Sequence, residues 1–282
     1  MTWERFGYIC RKVSAGIGEH ETVSDCIARV EKEQSSALYG KPIGSSSIQR
    51  KILEQIGSFE NKDKALSALN LYQGLKLSEN FEEPMRFKRV VAYLSYVTFI
   101  FYIVVGIYQL KVAPTFLGAL EDLNLSMPSY LGWYQDYWWY FVLAVTILLI
   151  SSLLIGHNLR KIFRFVLGIE NSVVLKYLAF KGIRQSYIKV IDILQFPIEL
   201  SSDKNSKTPS KLVEHLHDVQ VSNMSVAVEM QELLRIEMRL LLERCEQQMK
   251  YISMLVAFVV VWAIFFFLAS AYSPIFVLGE VI

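Results

Sequence analysis

The chain has 282 residues, 53% of them hydrophobic, and a mean hydropathy of +0.31. That is too apolar for an ordinary soluble protein and too polar for a transporter built mostly of spans, so membrane and aqueous segments must alternate. Net charge is only +2, and no nucleic-acid partner is expected.

The distribution of charge says more than its sum. Of 29 Lys and Arg residues, only Lys111 lies outside the segments Met1 to Arg89 and His157 to Lys250. The positive-inside rule puts both segments on the cytoplasmic side. The start, MTWERFGY, is charged and has no apolar core, so no cleaved signal peptide is expected. Cys10, Cys26 and Cys245 form no CxxC pair. An odd count in a reducing compartment points to small apolar residues rather than to disulfides or zinc.

Residues 1–89 read as a first cytoplasmic helical domain. Val23, Cys26, Ile27 and Val30 make an amphipathic stripe that Gly40 would end. A second stripe, Ile48, Ile52 and Ile56, is entered from Ser45 to Ser47. A third, over Lys62 to Tyr72, carries Leu66, Leu69 and Tyr72. The Gly-containing AGIGEHE (Ala15 to Glu21) follows no strand and lacks a GK[ST], which sets aside a phosphate loop.

Residues 90–110 form a first transmembrane helix and 111–136 an external loop. The second span covers 137–156, with Trp133, Tyr134, Tyr137, Trp138, Trp139 and Tyr140 as its aromatic belt. Residues 157–250 form a second cytoplasmic helical domain, with one helical part running to Pro197 and a polar loop from Ser201 to Lys211. Within it Glu214, His215, His217 and Asp218 are metal-capable, but two His two residues apart on a helix diverge, so a solvated helix start is expected. From Ser225 the pattern is helical: Leu234, Met238, Leu241, Cys245, Met249 and Ile252 step by three and four and lead into a third span, 251–272, followed by an external tail, 273–282. One helix is expected to run through both.

The three spans contain no Asp, Glu, Lys, Arg or His, which argues against a self-sufficient carrier or pump. Ser95, Thr98, Thr146, Ser151, Ser152 and Ser253 are expected to serve helix-to-helix contacts. No nucleophile, metal or cofactor constellation stands out, so neither catalysis nor a cofactor is expected.

The chain also repeats itself. Arg89 precedes an apolar run ending at Pro114-Thr115-Phe116, and Lys250 precedes one ending at Pro274-Ile275-Phe276. The fold class that follows is an all-α membrane protein with three transmembrane helices and two cytoplasmic helical-bundle domains in an internal repeat. These motifs, with Met127-Pro128 in the external loop, resemble the type II secretion system protein F family, which includes the inner-membrane platform proteins of type IV pilus assembly. The resemblance implies a non-enzymatic, multi-pass protein of the bacterial inner membrane, with its C-terminus periplasmic. Its partners would be a hexameric assembly ATPase, pilin or pseudopilin subunits, other inner-membrane assembly proteins and further copies of itself. It implies pilin-facing exits at Pro114, Phe116, Met127, Pro128, Pro274, Ile275 and Phe276, and a coupling helix carrying Leu234, Met238, Leu241, Cys245 and Met249. The alternative is an accessory or scaffold subunit of a membrane transport complex.

Overall fold

The computed structural model describes residues 2–18, 20–77, 85–122, 129–169, 172–201 and 210–281. In chain order the helices are α1 (Thr2–Gly16), α2 (Val23–Lys32), α3 (Gln34–Ala37), α4 (Ile48–Gly57), α5 (Lys62–Gln73), α6 (Met85–Ile107), α7 (Ala113–Asp122), α8 (Ser129–Ile162), α9 (Val173–Tyr177), α10 (Lys181–Ser201), α11 (Lys211–Val221) and α12 (Val226–Val281). A π-helical turn, Tyr108–Val112, joins α6 to α7. Among the described residues there is no sheet beyond one isolated antiparallel bridge, Ser47 to Val166. The chain divides into two units, Met1–Glu83 with Asn158–Glu246, and Pro84–His157 with Gln247–Ile282.

The first unit starts from helices with well-defined entrances. Thr22, Ser47 and Asn61 sit extended at the N-caps of α2, α4 and α5, and each accepts a backbone N–H from the first turn, satisfying donors that have no intrahelical partner. The expected stripes Val23, Cys26, Ile27, Val30 and Ile48, Ile52, Ile56 are all buried. On α5 the buried face is Ala65, Ala68, Leu69 and Tyr72, with Leu66 only half-buried. The first stripe does not run on to Gly40. Glu33 turns extended (ψ 141°) after Lys32, a short α3 follows, and Gly40 sits beyond it at φ 110°, a conformation that glycine adopts without steric penalty.

The segments expected as two separate bundles share one core. Trp3 packs edge-on against Phe6 and Phe165, Phe6 against Tyr72, and Phe165 stacks on Tyr187. The backbone joins them too, with Ile48 N–H donating to Phe165 O (3.0 Å) and Leu167 N–H to Ser46 O (2.8 Å). Pro197, expected to end a helix, lies inside α10 and is buried. Proline cannot donate to the carbonyl four residues back and crowds the preceding turn. In that turn the Leu194 carbonyl accepts the buried Tyr72 hydroxyl.

In the second unit, three helices are long and apolar enough to cross a membrane: Arg89–Ala119, Asp136–Ile162 and Val226–Leu268. This is a multi-pass membrane protein. The spans meet at Gly156 of α8, whose missing side chain leaves room for Val91 of α6 and Met249 of α12. Tyr102 donates to Thr146 Oγ1 across α6 and α8 (2.7 Å), and Tyr108 stacks on Phe267 with ring centroids 4.8 Å apart. The span hydroxyls mostly do not bridge helices as expected. Ser95, Thr98, Thr146 and Ser152 each donate to the carbonyl four residues back on their own helix. In apolar surroundings that carbonyl is the nearest available acceptor.

Candidate functional site

The candidate coupling helix, α12, is one element of 56 residues. Between Val226 and Ser273 it has neither Gly nor Pro, and nothing in that stretch interrupts the hydrogen-bond ladder. At 1.5 Å per residue it is about 84 Å long. The helix that the sequence pattern predicts from Ser225 onward therefore continues through the last span, as expected.

All five predicted positions on it, Leu234, Met238, Leu241, Cys245 and Met249, are buried. The stripe extends further than expected in both directions, to Met230 and to Val256, Ala263 and Phe267. Leu234, Cys245, Val256 and Phe267 are eleven residues apart, and eleven residues of ideal helix come within about 20° of three whole turns.

Polar contacts fix the helix in the first unit. Arg244 donates from Nη1 to Gly182 O and to Ser186 Oγ on α10, both at 2.7 Å. A Cβ on Gly182 would stand 3.2 Å from the Arg244 side chain, so the glycine makes the approach possible. Lys189 on α10 pairs with Glu237 at 2.8 Å; the Glu237 side chain is only 8% exposed. The sequence pattern points to none of these partners, and Arg244 enters it only as one of the basic residues between His157 and Lys250. The i, i+3, i+4 pattern marks apolar stripes and is silent on which polar residue of a stripe's edge meets which backbone carbonyl.

The exits differ from what was expected of them. Pro114 does not end the helical path. It stands in the first turn of α7, directly after the π-helical turn, where Ala113 N–H reaches back five residues to Tyr108 O. A proline removes one backbone donor and its ring needs space, and the wide turn before it supplies that space. Pro114 is exposed and Phe116 half-buried. At the second exit, α12 runs through Pro274, Ile275 and Phe276 as helix; the side chains of these three lie outside the described residues. Met127 and Pro128 also lie outside them. The buried Gln109 amide oxygen in the π-helical turn has no partner, and Gln109 was missing from the expected set of polar span residues.

Two further features belong to the geometry. Trp133, Tyr137, Tyr140 and Phe141 of α8 and Trp262 and Phe266 of α12 line a cleft of about 350 Å³ in the second unit, every wall of it aromatic. In the first unit, burial raises the carboxyls of Asp192 and Glu199 above their ordinary range, Glu199 also through the neighbouring Asp192 charge and against the pull of His217. The two histidines on α11 diverge as expected: His215 Nε2 lies 3.1 Å from Glu229, and His217 meets the edge of Phe196. Among the described residues no three His, Cys, Asp or Glu side chains are grouped as metal ligands would be.

No protein-family model, curated protein or solved structure matches this chain.

Proposed function

We propose that this protein is an inner-membrane platform for type IV pilus or type II secretion pseudopilus assembly, coupling a cytoplasmic ATPase to the polymerisation of pilin-like subunits. The observation that carries the reading is α12. A single uninterrupted helix is tied to α10 by Arg244 and by the Lys189–Glu237 pair in its first half and is long and apolar enough to cross a membrane in its second. A change imposed on α10 by a motor would act on α12 through Arg244 and the Lys189–Glu237 pair. The chain's basic flanks, Arg86 to Arg89, Arg160 to Arg164 and Arg235 to Lys250, support a cytoplasmic first unit and a periplasmic C-terminus. In this reading Pro114, Phe116, Pro274 and Phe276 shape the pilin-facing exits, and the platform works as a homo-oligomer beside other inner-membrane assembly proteins.

The test is a detergent-solubilised pull-down of the tagged chain from its native membrane, with the captured proteins identified by mass spectrometry. A hexameric secretion-type ATPase together with pilin-like subunits is the expected outcome. A permease or channel without such an ATPase would replace this reading with that of an accessory subunit. As a second arm, Pro274→Ala/Phe276→Ala should abolish piliation at unchanged protein level; wild-type piliation would remove any role for the motif.

A further inference from the structure

Basic and exposed apolar side chains occur close together in sequence between Arg160 and Lys189. Between Arg160 and Lys189 the chain carries seven Lys and Arg residues and a single acidic one, Glu170, although the whole chain nets only +2. Arg160 and Lys161 stand in the last turn of α8, so the segment leaves directly from a membrane-spanning helix. Over the next twenty residues its side chains sort into two sets. Phe163, Phe165, Ile169 and Leu175 are buried and anchor it. Leu167, Val173, Tyr177, Leu178 and Phe180 are exposed, Val173 and Tyr177 to more than 70%.

The anchoring is specific. Phe165 is held at φ 51°, a conformation that non-glycine residues seldom adopt. The bridge to Ser47 and the Leu167 N–H bond to Ser46 O fix the strand-like stretch beside it. Ser172 caps the short α9 through the Leu175 and Lys176 amides. Leu167 is therefore held beside the bridge, and Val173 and Tyr177 on the capped α9, with Arg164, Lys176 and Lys181 also exposed and Lys176 Nζ over the Tyr177 ring. Cations interleaved with aromatic and aliphatic side chains, next in sequence to a span, suit a surface of anionic headgroups above acyl chains.

We propose that Leu167, Val173, Tyr177 and Phe180, together with the exposed Arg164, Lys176 and Lys181, seat on the anionic lipid surface of the membrane that holds the spans. The cations meet lipid phosphates and the apolar side chains enter the interface. This docking is independent of any pilus partner and requires only the bilayer.

The experiment uses full-length protein in nanodiscs of phosphatidylcholine alone or mixed with phosphatidylglycerol. Tyr177→Cys is labelled with an environment-sensitive fluorophore; the unsubstituted chain, whose three cysteines are buried, is the blank. A blue shift and quenching by lipid-attached nitroxide are expected with phosphatidylglycerol. Both should be lost in Lys176→Glu/Lys181→Glu and at about 1 M salt, where screening shortens to about 3 Å. A label at Leu38→Cys, on a site 85% exposed, should stay water-like throughout. Water-like emission from position 177 in both lipids would overturn the proposal. So would equal quenching in both, a shift that survives charge reversal, or the same shift at position 38.

Discussion

Gly156→Ala tests whether the three spans are held by close approach at one residue. A Cβ there would lie 2.9 Å from Val91 Cγ2 and 3.3 Å from Met249 Cε. Carbon atoms in good contact stand about 3.5–4.0 Å apart, so α6 must retreat by roughly 0.6–1 Å. Met249 can swing its terminal methyl aside, whereas the β-branched Val91 has one preferred rotamer in a helix and cannot. Overpacking of this kind costs about 1–3 kcal/mol, while replacing a mid-helix glycine returns up to about 1 kcal/mol. The single variant mixes the two effects, and a cycle with Val91→Ala separates them. In the Val91→Ala background the clash is gone, so Gly156→Ala should become neutral or stabilising, with a coupling of about 1–2 kcal/mol between the sites. Unfolding of detergent-solubilised protein by rising SDS fraction, followed by far-UV circular dichroism, measures all four corners. A coupling below about 0.5 kcal/mol would show that α6 and α8 do not meet at this point.

Lys189→Met leaves the buried Glu237 carboxylate without its partner, at a cost of about 1–3 kcal/mol, reduced because Lys189 is itself half exposed. Lys189→Met/Glu237→Met should recover most of that loss; a double variant as unstable as the single one on thermal unfolding would count against the pairing. Tyr72→Phe removes the donor to Leu194 O inside the core and should cost about 1–2 kcal/mol, with unchanged stability refuting a structural role for that bond. The Arg29 guanidinium holds Glu21 down to about 2, against 4.5 unfolded, so its contribution is complete above pH 4.5 and lost as pH falls toward 2. Glu21→Gln should flatten that part of the stability–pH curve, and an unchanged slope would contradict the ion pair. Asp192 has the opposite sign: its raised native carboxyl pKa means the fold pays for the charged form at neutral pH and regains stability as pH falls through it. Asp192→Asn should therefore stabilise the protein at pH 7, as read by thermal unfolding, and a loss would refute the sign.

What was legible in the sequence was what local periodicity encodes. The spans stood out because three stretches of about twenty residues carry no charge, and the stripes of α2, α4 and α12 because their apolar residues recur every three or four positions. α1 was missed although Trp3, Phe6, Ile9, Cys10 and Val13 keep the same spacing, in part because Arg5 lies among them and is itself buried, donating to Glu31 O and Gly40 O. The joining of the two polar segments was not legible, since Trp3 with Phe165 and Tyr72 with Leu194 lie more than a hundred residues apart and no local pattern pairs them. The prolines were over-read. Pro197 and Pro274 each lie inside a helix, and at the buried Pro197 tertiary packing outweighs one lost backbone bond.

The two ends of α12 are gripped by different forces, and this follows from their solvents. Within the spans the hydroxyls of Ser95, Thr98, Thr146 and Ser152 are satisfied by their own helices, and Tyr102 donates to Thr146 between two of them. Apolar packing between spans competes with equally apolar lipid, and its strength rests on shape, as at Gly156 and at the Tyr108–Phe267 stack. Near Arg244 the surroundings are protein and water, and three directional contacts, Arg244 to Gly182 O, Arg244 to Ser186 Oγ and Lys189 to Glu237, fix both the height and the rotation of the helix against α10. Turning α12 about its axis would break all three at once, whereas in the bilayer the same turn exchanges one apolar contact for another. Rotation of α12 is therefore resisted mainly at its α10 end, and Arg244→Met, which deletes two of the three contacts, is the substitution that would free it.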